Sequence, residues 1–134
     1  QTGERRPLGV GAGSLALLAA LDDAEIEDIL SADRDRTERY PRFTDEWLRQ
    51  GIRDAREKGY TKVVGEVVDE MWAFGVPIRD SQGRLIASLS CAAVRSRLQT
   101  HSEEAVASLL HAEAALISCL FQSTRSPPTE GEQR

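Results

Sequence analysis

The chain is predicted to fold as one α+β domain, a mainly antiparallel sheet flanked by helices. Three observations carry this. The glycine-punctuated run at residues 6–21, RPLGVGAGSLALLAAL, and the capped stretch at 44–59 have helical apolar spacing, whereas residues 60–92 turn to β-type runs folded back at DSQG, before a last apolar helix. A length of 134 residues with 40% apolar content suits a single modest core.

Each element has a local reason. Gly9, Gly11 and Gly13 free the backbone to turn closely before Ser14, from which SLALLAAL reads as a short helix, apolar on all sides and therefore buried. Asp22 or Asp23 caps the next helix, where Ile26, Ile29 and Leu30 recur beneath an acidic outer face of Glu25, Glu27 and Asp28. Residues 33–43 are polar, contain Pro41 and read as a loop. Thr44 is an N-cap, Asp45 and Glu46 suit the positive end of a helix, and Leu48, Ile52 and Ala55 form one stripe ending at Gly59.

Beyond Gly59, residues 60–68 hold Val63, Val64, Val67 and Val68, and residues 71–78 form a second apolar run. Residues 80–83 are a turn, and 85–92 pairs back as a hairpin strand. Leu85, Ala87, Leu89 and Cys91 share one of its faces; Ile86, Ser88, Ser90 and Ala92 share the other. Trp72 and Phe74 alternate with Met71, Ala73 and Gly75, giving one bulky and one small face; periodicity alone favours core on both over room for a ligand on the small one. Ser102 caps a final helix whose Val106, Leu109, Leu110, Ala114, Ile117, Leu120 and Phe121 make a wide apolar stripe. Residues 122–134, QSTRSPPTEGEQR, lack apolar content and are expected to be a disordered tail, which bounds the domain at 1–121.

Charge and motifs exclude several function classes. A net charge of −5 argues against a nucleic-acid surface, and Arg34, Arg36 and Arg39 are interleaved with Asp33, Asp35 and Glu38. Arg5, Arg6 and the apolar run after them imitate a secretory signal, but the run passes into DDAEIED without a small-residue cleavage site. It is also too short and glycine-rich for a membrane span. No other long apolar stretch is read along the chain, so a soluble protein without a membrane partner is expected. Two cysteines, Cys91 and Cys119, suit reduced thiols in the cytoplasm better than a bridge.

No cofactor is expected: the glycines form neither a G-x-G-x-x-G nor a G-K-[ST] signature. His101 and His111 lack a third ligand at metal spacing, and no serine, histidine and acid suggest a triad. The acidic run around Glu25 is a solvated face, not a carboxylate pair in an apolar cleft.

Read together, RPLGVGAGSLALLAAL, GYTKVVGE and VPIRDSQGRLIASLSCAA resemble the latter two thirds of the effector-sensing domain of IclR-type transcriptional regulators, over residues 6–121. The resemblance implies a GAF-like domain whose leading strands are missing, and a non-enzymatic protein. It further implies a winged helix-turn-helix that contacts DNA and is absent from this chain, a small-molecule effector that is a carboxylic acid or aromatic catabolite, and assembly as a homodimer or homotetramer. By position, the implied pocket comprises Gly11, Ala12 and Gly13, then Met71 and Ala73, then Ser90 and Ala92. The chain departs from the commoner pattern at Ser14-Leu15, Val63 and Ala92, which implies a less polar pocket and a larger or aromatic ligand. The rival expectations are a stand-alone enzyme or ligand carrier on the same scaffold, and a pure assembly module whose pocket is filled by side chains.

Overall fold

The computed structural model describes residues 3–66, 68–98 and 100–125. Among them the elements run α1 (Ala12–Ala19), α2 (Asp23–Ala32), α3 (Arg36–Arg39), α4 (Asp45–Lys58), β1 (Thr61–Val64), β2 (Met71–Arg79), β3 (Leu85–Val94), α5 (Arg95–Leu98) and α6 (Glu103–Arg125).

Caps set the helix boundaries. Gly11 stands at φ 105°, a backbone state open to glycine, and turns the chain into α1, whose Leu15, Ala16 and Leu18 are all buried. The Asp22 carboxylate accepts the Glu25 N–H at 2.8 Å at the start of α2, and Thr44 Oγ1 accepts the Trp47 N–H at 3.1 Å at the start of α4. Leu48, Ile52 and Ala55 are buried on one face of α4, which stops at left-handed Gly59. The span expected as a loop holds one helical turn, α3. It forms because Arg36 is buried, donates from Nε to the Phe43 carbonyl at 2.8 Å and pairs with Asp45, so the chain wraps around its own guanidinium.

The three strands are antiparallel in the order β1-β2-β3. β1 ends at Val64, earlier than its valine content suggests. Gly65 turns the chain and donates its N–H to the Met71 carbonyl at 2.9 Å, leaving Val68 exposed. In the β2–β3 turn, Asp80 Oδ1 accepts the N–H groups of Gln82 and Arg84, both at 2.9 Å. These backbone bonds, led by that from Arg84, hold the Asp80 carboxyl below its usual range. Next to this turn the register shifts: Ile78 pairs with Ala87 and Arg79 with Leu85. Ile86 is the extra residue, so it packs with Phe74 and Val76 and not with the Ser88, Ser90 and Ala92 face on which strict alternation places it.

Two cores result, one on each face of the sheet. On one side α1, α2 and α4 gather Leu15, Leu18, Ile26, Leu48 and Phe43 with Val63. On the other, α6 lays Leu110 and Ala114 over Phe74, Val76 and Ile78. α6 continues to Arg125, past the expected end of the domain; residues 126–134 of the expected tail lie outside the described residues.

The apolar residues of α6 cover more than one face. Leu109, Leu116 and Leu120 are 63%, 54% and 59% exposed, turned away from the sheet that buries Leu110. Within residues 103–122 the most apolar 18-residue stretch has a mean hydropathy of 1.5, so the run at residues 6–21 is not the one long apolar stretch; by length and composition this helix could cross a membrane, a test that the sheet-covering helix of a soluble protein also passes.

Candidate ligand cavity

The small face of the sheet lets α1 approach unusually closely. A Cβ on Gly75 would stand 2.4 Å from the Ala12 carbonyl oxygen, and one on Gly13 would stand 3.0 Å from Ser90 Oγ and 3.3 Å from Ser88 Oγ. Buried Thr61 locks the contact, donating from Oγ1 to the Ala12 carbonyl at 2.6 Å. The first turn of α1 is thereby seated against β2 and β3.

Beside this contact lies an open cavity of about 530 Å³. Gly11, Ala12 and Gly13 line it from the α1 end, Met71 and Ala73 from β2, and Ser90 and Ala92 from β3, so the seven residues expected from sequence share one wall system. Ser88 and Val63 also line it, and alternation could have supplied both: Ser88 shares a face with Ser90, and Val63 pairs with Ala73. Arg6, Gly65, Glu66 and Val68 reach the cavity from irregular segments, where no periodicity announces a direction.

The electrostatics of α1 are asymmetric. Its first closed internal bond runs from the Leu15 N–H to the Gly11 carbonyl at 2.8 Å, and no side chain caps the N–H groups before it. Ser14 Oγ is occupied in accepting the Gly9 N–H at 2.8 Å. At the other end, Arg56 donates to the carbonyls of Ala19 and Leu21 at 3.2 and 3.0 Å, and Arg79 donates to Ala20 at 3.2 Å. The negative end of the helix is thus neutralised, while the positive end stays open beside the cavity and suits an anionic oxygen. Arg6 adds a guanidinium to the lining; it bonds Glu4 at 3.3 Å, which holds the Glu4 carboxyl below its usual range.

No catalytic set accompanies these groups among the described residues. Ser88 and Ser90 have no histidine beside them in the lining, and His101 and His111 are exposed on and near α6. Cys91 belongs to the α6 face of the sheet, where burial pushes its thiol up and away from thiolate chemistry. Neither Cys91 nor Cys119 is in a disulfide, and no group of three potential metal ligands occurs among the described residues. A smaller cavity of about 160 Å³ lies beneath the C-terminal half of α1, but its two guanidinium groups, Arg56 and Arg79, are those already held by the carbonyls of Ala19 and of Ala20, the residue that follows α1.

Helices on both faces of an antiparallel sheet, with a glycine-led helix seated on the small face, define an α+β, GAF-like domain of the kind found in bacterial transcriptional regulators. The family model described as the bacterial transcriptional regulator IclR C-terminal matches residues 1–119, and the chain belongs to that family. The family is one of non-enzymatic regulators. The C-terminal domain of the Escherichia coli transcriptional regulator KdgR is 31% identical, with a TM-score of 0.69 over 87% of this chain and 72% of that one. The Agobacterium tumefaciens repressor BlcR is 25% identical, with a TM-score of 0.71 over 88% of this chain and 49% of its own. The Thermotoga maritima IclR shares the fold at 21% identity, with a TM-score of 0.68 over 87% of this chain and 51% of its own. The chain therefore spans about half the length of these full regulators. No curated protein matches it in sequence.

Proposed function

We propose that this chain is the effector-sensing part of a cytoplasmic transcriptional regulator. It binds a small organic acid, a carboxylic acid or aromatic catabolite, in the cavity beside α1. Binding shifts the population of an attached winged helix-turn-helix domain between DNA-competent and incompetent states. The observation that carries the reading is the cavity itself: it joins an uncapped helix N-terminus, two serine hydroxyls and an apolar wall, in a chain of the IclR family. DNA contact belongs to the attached domain, since the net charge here is −5.

A thermal-shift screen of carboxylates, followed by titration, tests the reading. Ser90→Ala removes one hydroxyl bond, worth about 0.5–1.5 kcal/mol net, so affinity for a hit should fall roughly several-fold while the melting temperature of the free protein holds. Unchanged affinity in Ser90→Ala and in a cavity-filling Ala73→Leu, at native stability, would place the binding site elsewhere.

Assembly is part of the same proposal. The exposed face of α6, with Leu109, Leu116 and Leu120, and the open edges of a three-stranded sheet both favour a homodimer or homotetramer. Light scattering at working concentration should return at least a dimer; a monodisperse monomer contradicts it.

A further inference from the structure

α1 borders two spaces, and its closest grip on the sheet is at one end. Its first turn gives Ala12 and Gly13 to the wall of the ligand cavity of about 530 Å³. Its other half stands over the cavity of about 160 Å³, where Ala16, Ala19 and Ala20 face a lining that includes Ala55, Gly59 and Pro77. Thr61 and Gly75 line this second space as well, so the point where α1 meets the sheet most closely borders it.

That contact is built as a catch. The Thr61 hydroxyl has one proton and two carbonyl acceptors in reach, Ala12 at 2.6 Å and Gly75 at 3.3 Å. The shorter bond ties α1 down, whereas the longer one stays within the sheet, where Thr61 and Gly75 pair across β1 and β2. When the first turn lifts, the hydroxyl turns to Gly75, so no buried donor is stranded, and a carbonyl inside a helix still has the N–H four residues on. Lifting costs the better bond and some packing, but no orphaned polar group. At the far end Arg56 and Arg79 reach the carbonyls of Ala19, Ala20 and Leu21 through long side chains that can follow the helix, and the smaller cavity leaves that half room to sink.

We propose that α1 is a rocking element with two positions. In the seated one the Thr61 hydroxyl bonds Ala12; in a less populated released one it bonds Gly75, with the first turn lifted and the other half sunk into the smaller cavity. An occupant of the ligand cavity favours release, because Ala12 and Gly13 are the part of the wall that can give way. A ligand shifts such an equilibrium only by preferring one position, and the widened cavity supplies that preference. The coupling to an occupant rests on the sensing function proposed above, whereas the two positions of α1 do not.

NMR spectra of the ligand-free chain test it, read at the backbone amides of Leu18, Ala19 and Ala20, at the far end of the helix from Ala12. In Thr61→Val a methyl takes the place of the hydroxyl, 2.6 Å from the Ala12 oxygen and well inside van der Waals contact, so the seat is pushed open. Gly75→Ala pushes from β2, and Ala73→Leu acts as a built-in occupant of the ligand cavity. All three should displace those amide resonances along one common line, because they move the same equilibrium by different amounts. Thr61→Ser, which keeps the hydroxyl, should leave them near their native positions. Displacements in unrelated directions, or none, would overturn the two positions. A shared line for Thr61→Val and Gly75→Ala with Ala73→Leu off it would overturn the coupling to the cavity. If Gly75→Ala does not fold, unlike directions for Thr61→Val and Ala73→Leu overturn the proposal as a whole. Because no ligand is added, each of these failures leaves the sensing function standing, and a failed carboxylate screen leaves the two positions of α1 standing.

Discussion

Replacing Gly75 by alanine is expected to destabilise the domain by about 3 kcal/mol and to lower its Tm on the order of 10 °C. Alanine is the better strand residue on backbone entropy alone, by about 0.5–1 kcal/mol. Sterics reverse that preference here. The new Cβ would lie 2.4 Å from the Ala12 carbonyl oxygen and 2.8 Å from Thr61 Oγ1, and neither is the far end of a flexible side chain. α1 must lift, which breaks the Thr61 to Ala12 hydrogen bond of 2.6 Å and opens the wall that Gly11, Ala12 and Gly13 give to the cavity. Thermal and urea unfolding measure the loss directly. A Tm within a degree or two of the native value would mean that the close seat of α1 on β2 is not what holds the helix.

Phe74→Ala is expected to cost about 3–5 kcal/mol, because a fully buried aromatic ring leaves a cavity that neighbours refill only in part. Phe74 is 1% exposed, packs with Val76, Ile78, Leu110 and Ala114, and lies tilted against Tyr60 with ring centroids 6.1 Å apart. Its neighbour Ala73 lies on the other face and should respond in the opposite sense. Ala73→Leu adds bulk to the ligand cavity and should weaken binding more than Ser90→Ala does, at a stability cost on the order of 1 kcal/mol. In the folded fraction of Phe74→Ala, binding should stay near native. The pair thus separates the structural face from the sensing face at adjacent positions. If Phe74→Ala abolishes binding while Ala73→Leu leaves it unchanged, the two faces have been assigned the wrong way round.

The contrast between Ala73 and Phe74 marks what was legible in the sequence. Alternation along residues 71–78 by itself gives one bulky and one small face, because neighbouring side chains of a strand must point opposite ways. It did not say what the small face was for, and plain core was the favoured answer. The structure places α1 there, with a cavity beside it. The caps at Asp22, Thr44 and Ser102 were equally legible, since a cap is a bond spanning three residues.

What the sequence determined by itself was therefore local: helix and strand types, their caps, the Asp80 turn and the alternation that sorts large from small. Only the tertiary structure decided which partner each face received. The register shift that carries Ile86 to the α6 side depends on pairing two strands. Leu110 of α6 is buried and Leu109 exposed although the chain makes both leucine. Arg6 and Glu66 meet at one cavity across sixty residues of chain, from irregular segments without a period. Periodicity encodes direction relative to an element's own axis, and direction relative to the rest of the molecule exists only once the elements have packed.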